Sequence, residues 1–474
     1  MQNLQNKKSI ILLFISIILF TLVLSSESGS AKNSDMQSIS GTPVYMPVMY
    51  NYYPWQNVFG ITLYNFNNAG GLSQAVQAGS GWTRKDILWS SVEPTEGTRN
   101  WNAALEQSLI NISSTGIEPI MVIESTPSWA LRQGYGCGAV AQEYFPALAQ
   151  FAYDLVDRYS RPPYNVHYWE LWNEPDVNGS LGCWGDPVDD YFGGYYYGSM
   201  LQAVYPSMKA ADPNAQVLVG GLLLDCDPDN PPEGRETCPQ GRFLSGILAS
   251  GSGPFFDGVS FHAYDYFYGK GIYGNANWYS SSSTTGPVSI AKANYIKSVL
   301  AQNGYSEKYL MNTETAVFWG PYTLAVCGAS EEEKPSIEAT KVNYVIHSYA
   351  VAVAEGWRAN IWYSAFGVRC SGLLNPDLSP KAGYYAYQFA RQKFNGVVFV
   401  REISEYDGVM GYEYEAPGRR LWVVWSLDGQ PHNVILPGVP IEVNMIGEDG
   451  LAVREANNLT LTIDLSPRFV EFGR

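Results

Sequence analysis

Three acidic residues each close a short apolar run in this chain. Glu124 ends the run that begins at Glu118, Glu174 follows His167-Tyr168-Trp169-Glu170-Leu171-Trp172-Asn173, and Glu314 follows Tyr309-Leu310-Met311-Asn312-Thr313. A carboxyl at the end of a strand stands at the mouth of a sheet rather than inside it. Two carboxyls brought together there can divide the work, one protonated as a general acid and the other ionised as a base or nucleophile. Other strand ends carry groups suited to support such a pair. Arg84 offers a fixed positive charge. His262 and Tyr264 are two apart in Ser260-Phe261-His262-Ala263-Tyr264 and so share one side-chain direction. Trp362 and Tyr363 end a further run, and Glu170, deeper on the strand of Glu174, is placed to pair with Arg84.

The elements that must position these residues follow a repeating rhythm. From about residue 58, short apolar runs alternate with longer amphipathic ones. The expected strands are Phe59 to Tyr64, Gly81 to Leu88, Glu118 to Glu124, Val166 to Trp172, Gln216 to Leu222, Phe256 to Ala263, Lys308 to Glu314 and Arg358 to Phe366. Helical patterns lie between them at Trp101 to Ser114, Gln142 to Ser160, Tyr191 to Ala211, Ser289 to Asn303, Ile337 to Glu355 and Lys381 to Phe394. Eight such units predict an α/β chain closed into a (β/α)8 barrel, with working residues at the C-terminal ends of its strands. The first unit is the least regular, its helix confined to Leu72 to Ala78, and its strand reads equally as an irregular lead-in. After Gly396 the pattern becomes short alternating runs separated by Asp-Gly, Pro-Gly and Asn-Asn turns, which predicts a small antiparallel β-sandwich. The expected organisation is 1–31 as a signal peptide or signal anchor, 32–57 as a linker, 58–396 as the barrel and 397–474 as the sandwich.

At the fourth strand the phrase Trp169-Glu170-Leu171-Trp172-Asn173-Glu174-Pro175 resembles the acid/base motif of the clan A glycoside hydrolases, retaining enzymes built on (β/α)8 barrels. The resemblance implies that Glu174 protonates the leaving glycosidic oxygen and that Asn173 binds the sugar 2-hydroxyl. It places the nucleophile at the end of the seventh strand, where Glu314 stands, with Arg84 beneath it and Trp362, or else Tyr363, flooring the first sugar subsite. His262 or Tyr264 would hold the nucleophile or a sugar hydroxyl, and Glu124 would bind another. Glu93, in Trp89-Ser90-Ser91-Val92-Glu93-Pro94, resembles a recurrent loop of mainly structural role. The phrases are most similar to families 39 and 5, between which the sequence does not choose. Glu124 departs from the pattern, standing where a histidine is common in such enzymes. The expected activity is hydrolysis of β-linked oligo- or polysaccharide by double displacement; a carbohydrate-binding protein on an inactive barrel is the alternative. This chemistry needs no metal or organic cofactor.

The six cysteines show no CxxC spacing that would suggest metal ligation, and all fall in loops that follow strands. Neighbouring loops suggest the bonds Cys137 to Cys183, Cys226 to Cys238 and Cys327 to Cys370, which would brace the mouth. Lys7 and Lys8 precede an apolar stretch from Ile10 to Leu24, an export signal that places the protein outside the cell, membrane-anchored if the signal is uncleaved. The formal net charge of −16, without a basic run, argues against nucleic acid as a partner. The 34 tyrosines and 14 tryptophans suit stacking on sugar rings, as they also suit a large aromatic core. The segment from Tyr264 to Gly286, rich in such rings, reads as a loop that lines a cleft or closes over it. The sequence leaves the oligomeric state open.

Overall fold

The structure is a computed structural model that describes residues 57–132, 138–177, 184–278, 286–320 and 326–473. The N-terminal apolar stretch and the linker therefore lie outside the described residues. Within them no helix is long and apolar enough to cross a membrane.

The first part of the chain runs through strands β1 (Phe59–Ile61), β2 (Trp82–Leu88), β3 (Glu118–Glu124), β4 (Tyr168–Asn173), β5 (Gln216–Leu222), β6 (Gly258–Gly269), β7 (Ile272–Gly274), β8 (Tyr309–Phe318) and β9 (Ala359–Trp362). Apart from β7, these strands pair in parallel in the order β5-β4-β3-β2-β1-β9-β8-β6, and β5 also pairs with β6, so the sheet closes into an eight-stranded barrel. Its outer ring holds α1 (Leu72–Gln77), α2 (Trp89–Val92), α3 (Ala103–Ser113), α4 (Phe145–Tyr159), α5 (Gly194–Ala211), α6 (Phe243–Ala249), α7 (Ser289–Gln302), α8 (Lys334–Ala354) and α9 (Ala382–Lys393). Helix α4 shows why they dock. Leu148, Phe151, Ala152 and Leu155 recur at helical spacing and are all buried. Helix α3 begins where the Asn102 side chain accepts hydrogen bonds from the amides of Ala104 and Leu105.

Inside the barrel the alternation of strand side chains stacks residues in layers. Trp82, Ile120, Leu218, Met311 and Ile361 form an apolar plug at the base, with Tyr168 and Tyr309 packed against it. Two residues further along β2 and β4, the same facing brings Arg84 and Glu170 into the next layer, and the polar site is built on top of them.

Three expectations about this region change. The irregular first unit is a true strand, since β1 pairs with both β2 and β9 and completes the barrel. The sixth strand does not stop at Ala263: β6 runs to Gly269 and turns back through β7 as an antiparallel hairpin. β8 likewise passes Glu314, pairing with β6 up to Tyr266 opposite Phe318, so the two strands rise above the rim as a wall. Two of the expected cleft aromatics are buried in consequence. The Tyr273 hydroxyl lies 2.8 Å from His347 Nδ1, and Trp278 Nε1 donates to the Leu224 carbonyl at 2.6 Å. Both rings gain apolar burial and a polar partner by facing the barrel. Tyr266 and Phe267 are half-buried, Tyr268 is exposed, and Tyr279 lies outside the described residues.

The C-terminal part comprises β10 (Val398–Ile403), β11 (Val409–Ala416), β12 (Arg419–Ser426), β13 (His432–Ile435), β14 (Glu442–Ile446), β15 (Ala452–Arg454), β16 (Thr460–Ile463) and β17 (Arg468–Gly473). Six form one sheet, β10-β11-β12-β17-β14-β15, and β13 with β16 covers one of its faces. Along β12, Trp422 and Val424 face that cover while Leu421, Val423 and Trp425 join the core that continues into the barrel's helical layer. Tyr414 donates to the Ala350 carbonyl of α8 at 2.7 Å, and the ring of His347 stacks on Trp425. The sandwich is thus fused to the barrel through a shared apolar face.

Disulfides join Cys226 to Cys238 within the loop after β5, and Cys327 to Cys370 between the loops after β8 and β9. Cys137 and Cys183, and the bond expected between them, lie outside the described residues.

Candidate active site

Glu174 and Glu314 meet at the C-terminal mouth of the barrel, where one ligand atom each of Glu174, His262 and Glu314 lie within 4.8 Å of one another. The register explains how they meet. β8 carries an extra residue opposite the Phe261–His262 step of β6, so that His262 stands opposite Glu314. Such a bulge re-aims a side chain.

The two carboxyls have different partners, and the difference assigns their charge. Arg84 donates from Nη1 to Glu314 Oε1 at 2.5 Å and from Nη2 to Glu170 Oε1 at 2.6 Å, and the Tyr264 hydroxyl donates to Glu314 Oε2. Arg84 Nη2 also donates to Asn173 Oδ1 at 2.8 Å. Glu174 has no direct cation; its Oε1 lies 2.9 Å from His262 Nδ1. Burial raises Glu314 above its ordinary value, with His262 and Arg84 pulling it back. Burial pushes Glu174 up to about 7, against the more distant charges of Arg84 and Lys292. The shared proton therefore resides on Glu174, and Glu314 is the ionised partner. Burial would raise Glu170 too, but the adjacent guanidinium holds it below the usual carboxylate range.

Burial lowers His262 to about 4, so the ring is neutral at physiological pH. Its Nε2 has no hydrogen-bond partner among the described residues. We assign the proton to Nδ1, because that tautomer buries an unpaired acceptor rather than an unpaired N–H. Nδ1–H then donates to Glu174 Oε1 and leaves Oε2 to carry the acidic proton. The same three donors are the group best placed to ligate a cation, but Arg84 and Tyr264 already take both oxygens of Glu314.

Several residues that hold the site were not singled out from the sequence. Gly221 donates from its amide to Glu170 Oε1 at 2.9 Å and accepts from the Glu174 amide at 3.0 Å. A Cβ added there would lie 2.1 Å from His262 Nε2. The signal was the Gly220-Gly221 pair inside an apolar strand, which marks close approach of another group to the backbone. We therefore expect Gly221→Ala to push the imidazole off Glu174. The expected outcome is a roughly 10- to 100-fold fall in kcat/KM with a stability loss of about 1–3 kcal/mol, read by steady-state kinetics and thermal unfolding. Asp176, just after the motif, is fully buried and accepts from the amides of Leu223 and Leu224 at 2.9 and 2.7 Å, tying the Glu174 turn to the loop after β5. That turn is strained, with φ of 72° at Trp172 and 45° at Glu174, a cost found where surrounding contacts fix a functional group. Lys292 of α7 donates to the carbonyls of Leu223 and His262 at 2.5 and 2.8 Å, fixing β6 at the histidine.

An open cavity adjoins Glu314 and is walled by Tyr64, Lys85, Asp86, Glu124, Asn173 and Tyr363 among others. Trp362, expected at its floor, is not there. Its indole is fully buried, donates to the Ser371 carbonyl at 2.9 Å and faces Tyr344 in the helical layer. Tyr363, the residue that follows β9, takes the opposite facing and lines the cavity instead. Glu93 is remote from this chemistry. It is buried, pairs with Arg99, and accepts from Trp89 Nε1 and the Gly97 amide, each at 2.7 Å.

No protein-family model and no curated protein matches the sequence. Solved structures do match the fold. A family 39 glycoside hydrolase from the gut symbiont Bacteroides cellulosilyticus has a TM-score of 0.64 at 20% identity, over 87% of this chain and 80% of that one. A family 30 subfamily 8 xylanase from Clostridium acetobutylicum has a TM-score of 0.57 at 13% identity, over 89% and 98%. A β-porphyranase of family 86 from Bacteroides plebeius has a TM-score of 0.54 at 11% identity, over 88% and 74%. The likeness is one of fold: this chain, a closed barrel with a C-terminal β-domain, superposes over most of its length on these glycoside hydrolases of clan A.

Proposed function

We propose that this protein is a secreted retaining glycoside hydrolase acting on β-linked oligo- or polysaccharide, with Glu314 as nucleophile and Glu174 as general acid/base. The observation that carries the reading is the close approach of the two carboxyls at the barrel mouth, where one oxygen of Glu174 and one of Glu314 lie within 4.8 Å of each other. Retaining enzymes hold their carboxyls about 5–5.5 Å apart, whereas inverting ones leave about 6.5–9.5 Å for a water. In the first step a Glu314 oxygen bonds to the anomeric carbon, the glycosidic C–O bond breaks, and the Glu174 proton passes to the leaving oxygen. In the second, Glu174 takes a proton from water as the water oxygen displaces Glu314. Once Glu314 is esterified its charge is gone, and one reason for Glu174 to hold a proton goes with it. Asn173, fixed by Arg84, would meet the sugar 2-hydroxyl. Two disulfides fit an oxidising compartment, in keeping with export.

The test is to incubate the purified protein with a panel of aryl β-glycosides and plant and microbial polysaccharides and to follow the fresh product by proton NMR. The β-anomer should appear first. An α-anomer formed first would overturn the double displacement.

A further inference from the structure

Asp86 and Glu124 stand on the neighbouring strands β2 and β3 and wall the cavity beside Glu314. The proposed mechanism gives neither a step in the chemistry. Among the described residues, no side-chain hydrogen bond or ion pair joins either carboxyl to the protein. Two polar groups aimed into a cavity without partners are arranged for a ligand that supplies both.

We propose that Asp86 and Glu124 together select the sugar: they bind adjacent hydroxyls of an uncharged glycone and reject a ring that carries a carboxylate or sulfate. This rests on the hydrolase reading and narrows it. The charges around the pair support the selection. Arg84 is committed to Glu170 and Glu314, and Lys85 Nζ donates to the Tyr64 carbonyl at 2.5 Å. Lys85 also lines the cavity, so an anionic sugar would face Asp86 and Glu314 with this lysine as the single lining cation that no carboxylate already pairs among the described residues. Burial, and then the nearness of Asp86, push Glu124 up to about 8, so at neutral pH it is a hydrogen-bond donor. Asp86, at the exposed end of the wall, is the acceptor. One donor and one acceptor side by side match two neighbouring hydroxyls, each of which can both give and take a proton. Tyr64 and Tyr363, in edge contact at 6.3 Å, add apolar surface beside them.

The test has two arms. In the first, wild type, Asp86→Asn and Glu124→Gln are assayed on neutral aryl β-glycosides and on the corresponding uronides. Neutral substrates should be preferred by at least tenfold, and Asp86→Asn should raise KM for them roughly 10- to 100-fold, with the smaller change in kcat. A uronide as the best substrate, or unchanged KM in both variants, would overturn the assignment. In the second arm the Glu174→Gln variant is screened for binding to neutral, uronate-bearing and sulfated glycans. Neutral glycans bound there, with no turnover by wild type, would sink the hydrolase reading and leave the selection standing. A preference for anionic glycans would sink the selection alone.

Discussion

Replacing Glu314 by Gln should abolish turnover, lowering kcat by about 10⁴-fold or more, as loss of a covalent nucleophile does in other enzymes. The structure indicates why this is a test of chemistry rather than of folding. Arg84 lies between two carboxylates, 2.5 Å from Glu314 and 2.6 Å from Glu170. Removing the charge of Glu314 leaves the guanidinium paired with Glu170, so no buried charge is stranded. The amide oxygen can still accept from Arg84. Removing Arg84 instead would leave two buried carboxylates without their cation, and folding and catalysis would fail together. The measurement is kinetic and chemical. A 2-fluoro glycoside with a good leaving group, which slows the second step more than the first, should trap one sugar on the wild type. Peptide mapping should place it on Glu314, and the Gln variant should remain unlabelled. A label on Glu174, or full turnover by the variant, would reverse or remove the assignment.

The proposal of these two carboxyls could be made from the sequence because each closes a short apolar and aromatic run of the length of a buried strand. β3 and β5 appear with the limits read from the sequence, Glu118–Glu124 and Gln216–Leu222. What escaped is what periodicity does not encode. Helix α6 is seven residues long, too short for a helical repeat to emerge. The apolar run of β10 is interrupted by Arg401-Glu402, and β15 is exposed throughout. Above the rim, β6 continues through Tyr264-Asp265-Tyr266, where aromatic and acidic residues look like loop in one dimension and form strand only because β8 rises beside them. Trp362 and Tyr363 show the sharpest limit. Both are aromatic and adjacent, and only the facing of β9 decides which one meets the ligand. Gly221 and Asp86 lacked any motif. Their roles come from contacts across strands, with His262 in one case and with the cavity in the other.

Replacing Glu174 by Ala should separate the two steps. With a poor leaving group the departing oxygen needs its proton, so kcat/KM should fall roughly 10²- to 10⁴-fold. A dinitrophenolate leaves without that proton, so for a dinitrophenyl glycoside the first step should survive. The second step, now without a base, should then limit turnover and show a burst of one equivalent. Azide needs no deprotonation, and the shortened side chain leaves it room beside the anomeric carbon. It should restore turnover and yield a β-glycosyl azide. The pH profile supplies an independent reading. Glu174 acts in its protonated form in the first step, and burial places its titration at about 7, so wild-type kcat/KM should fall as pH rises through that value. The alkaline limb should be absent for the dinitrophenyl substrate in Glu174→Ala. If the limb persists there, it belongs to another group, Glu124 at about 8 being the nearest candidate. If azide fails to restore turnover while the fold is intact, Glu174 is not the base of the second step.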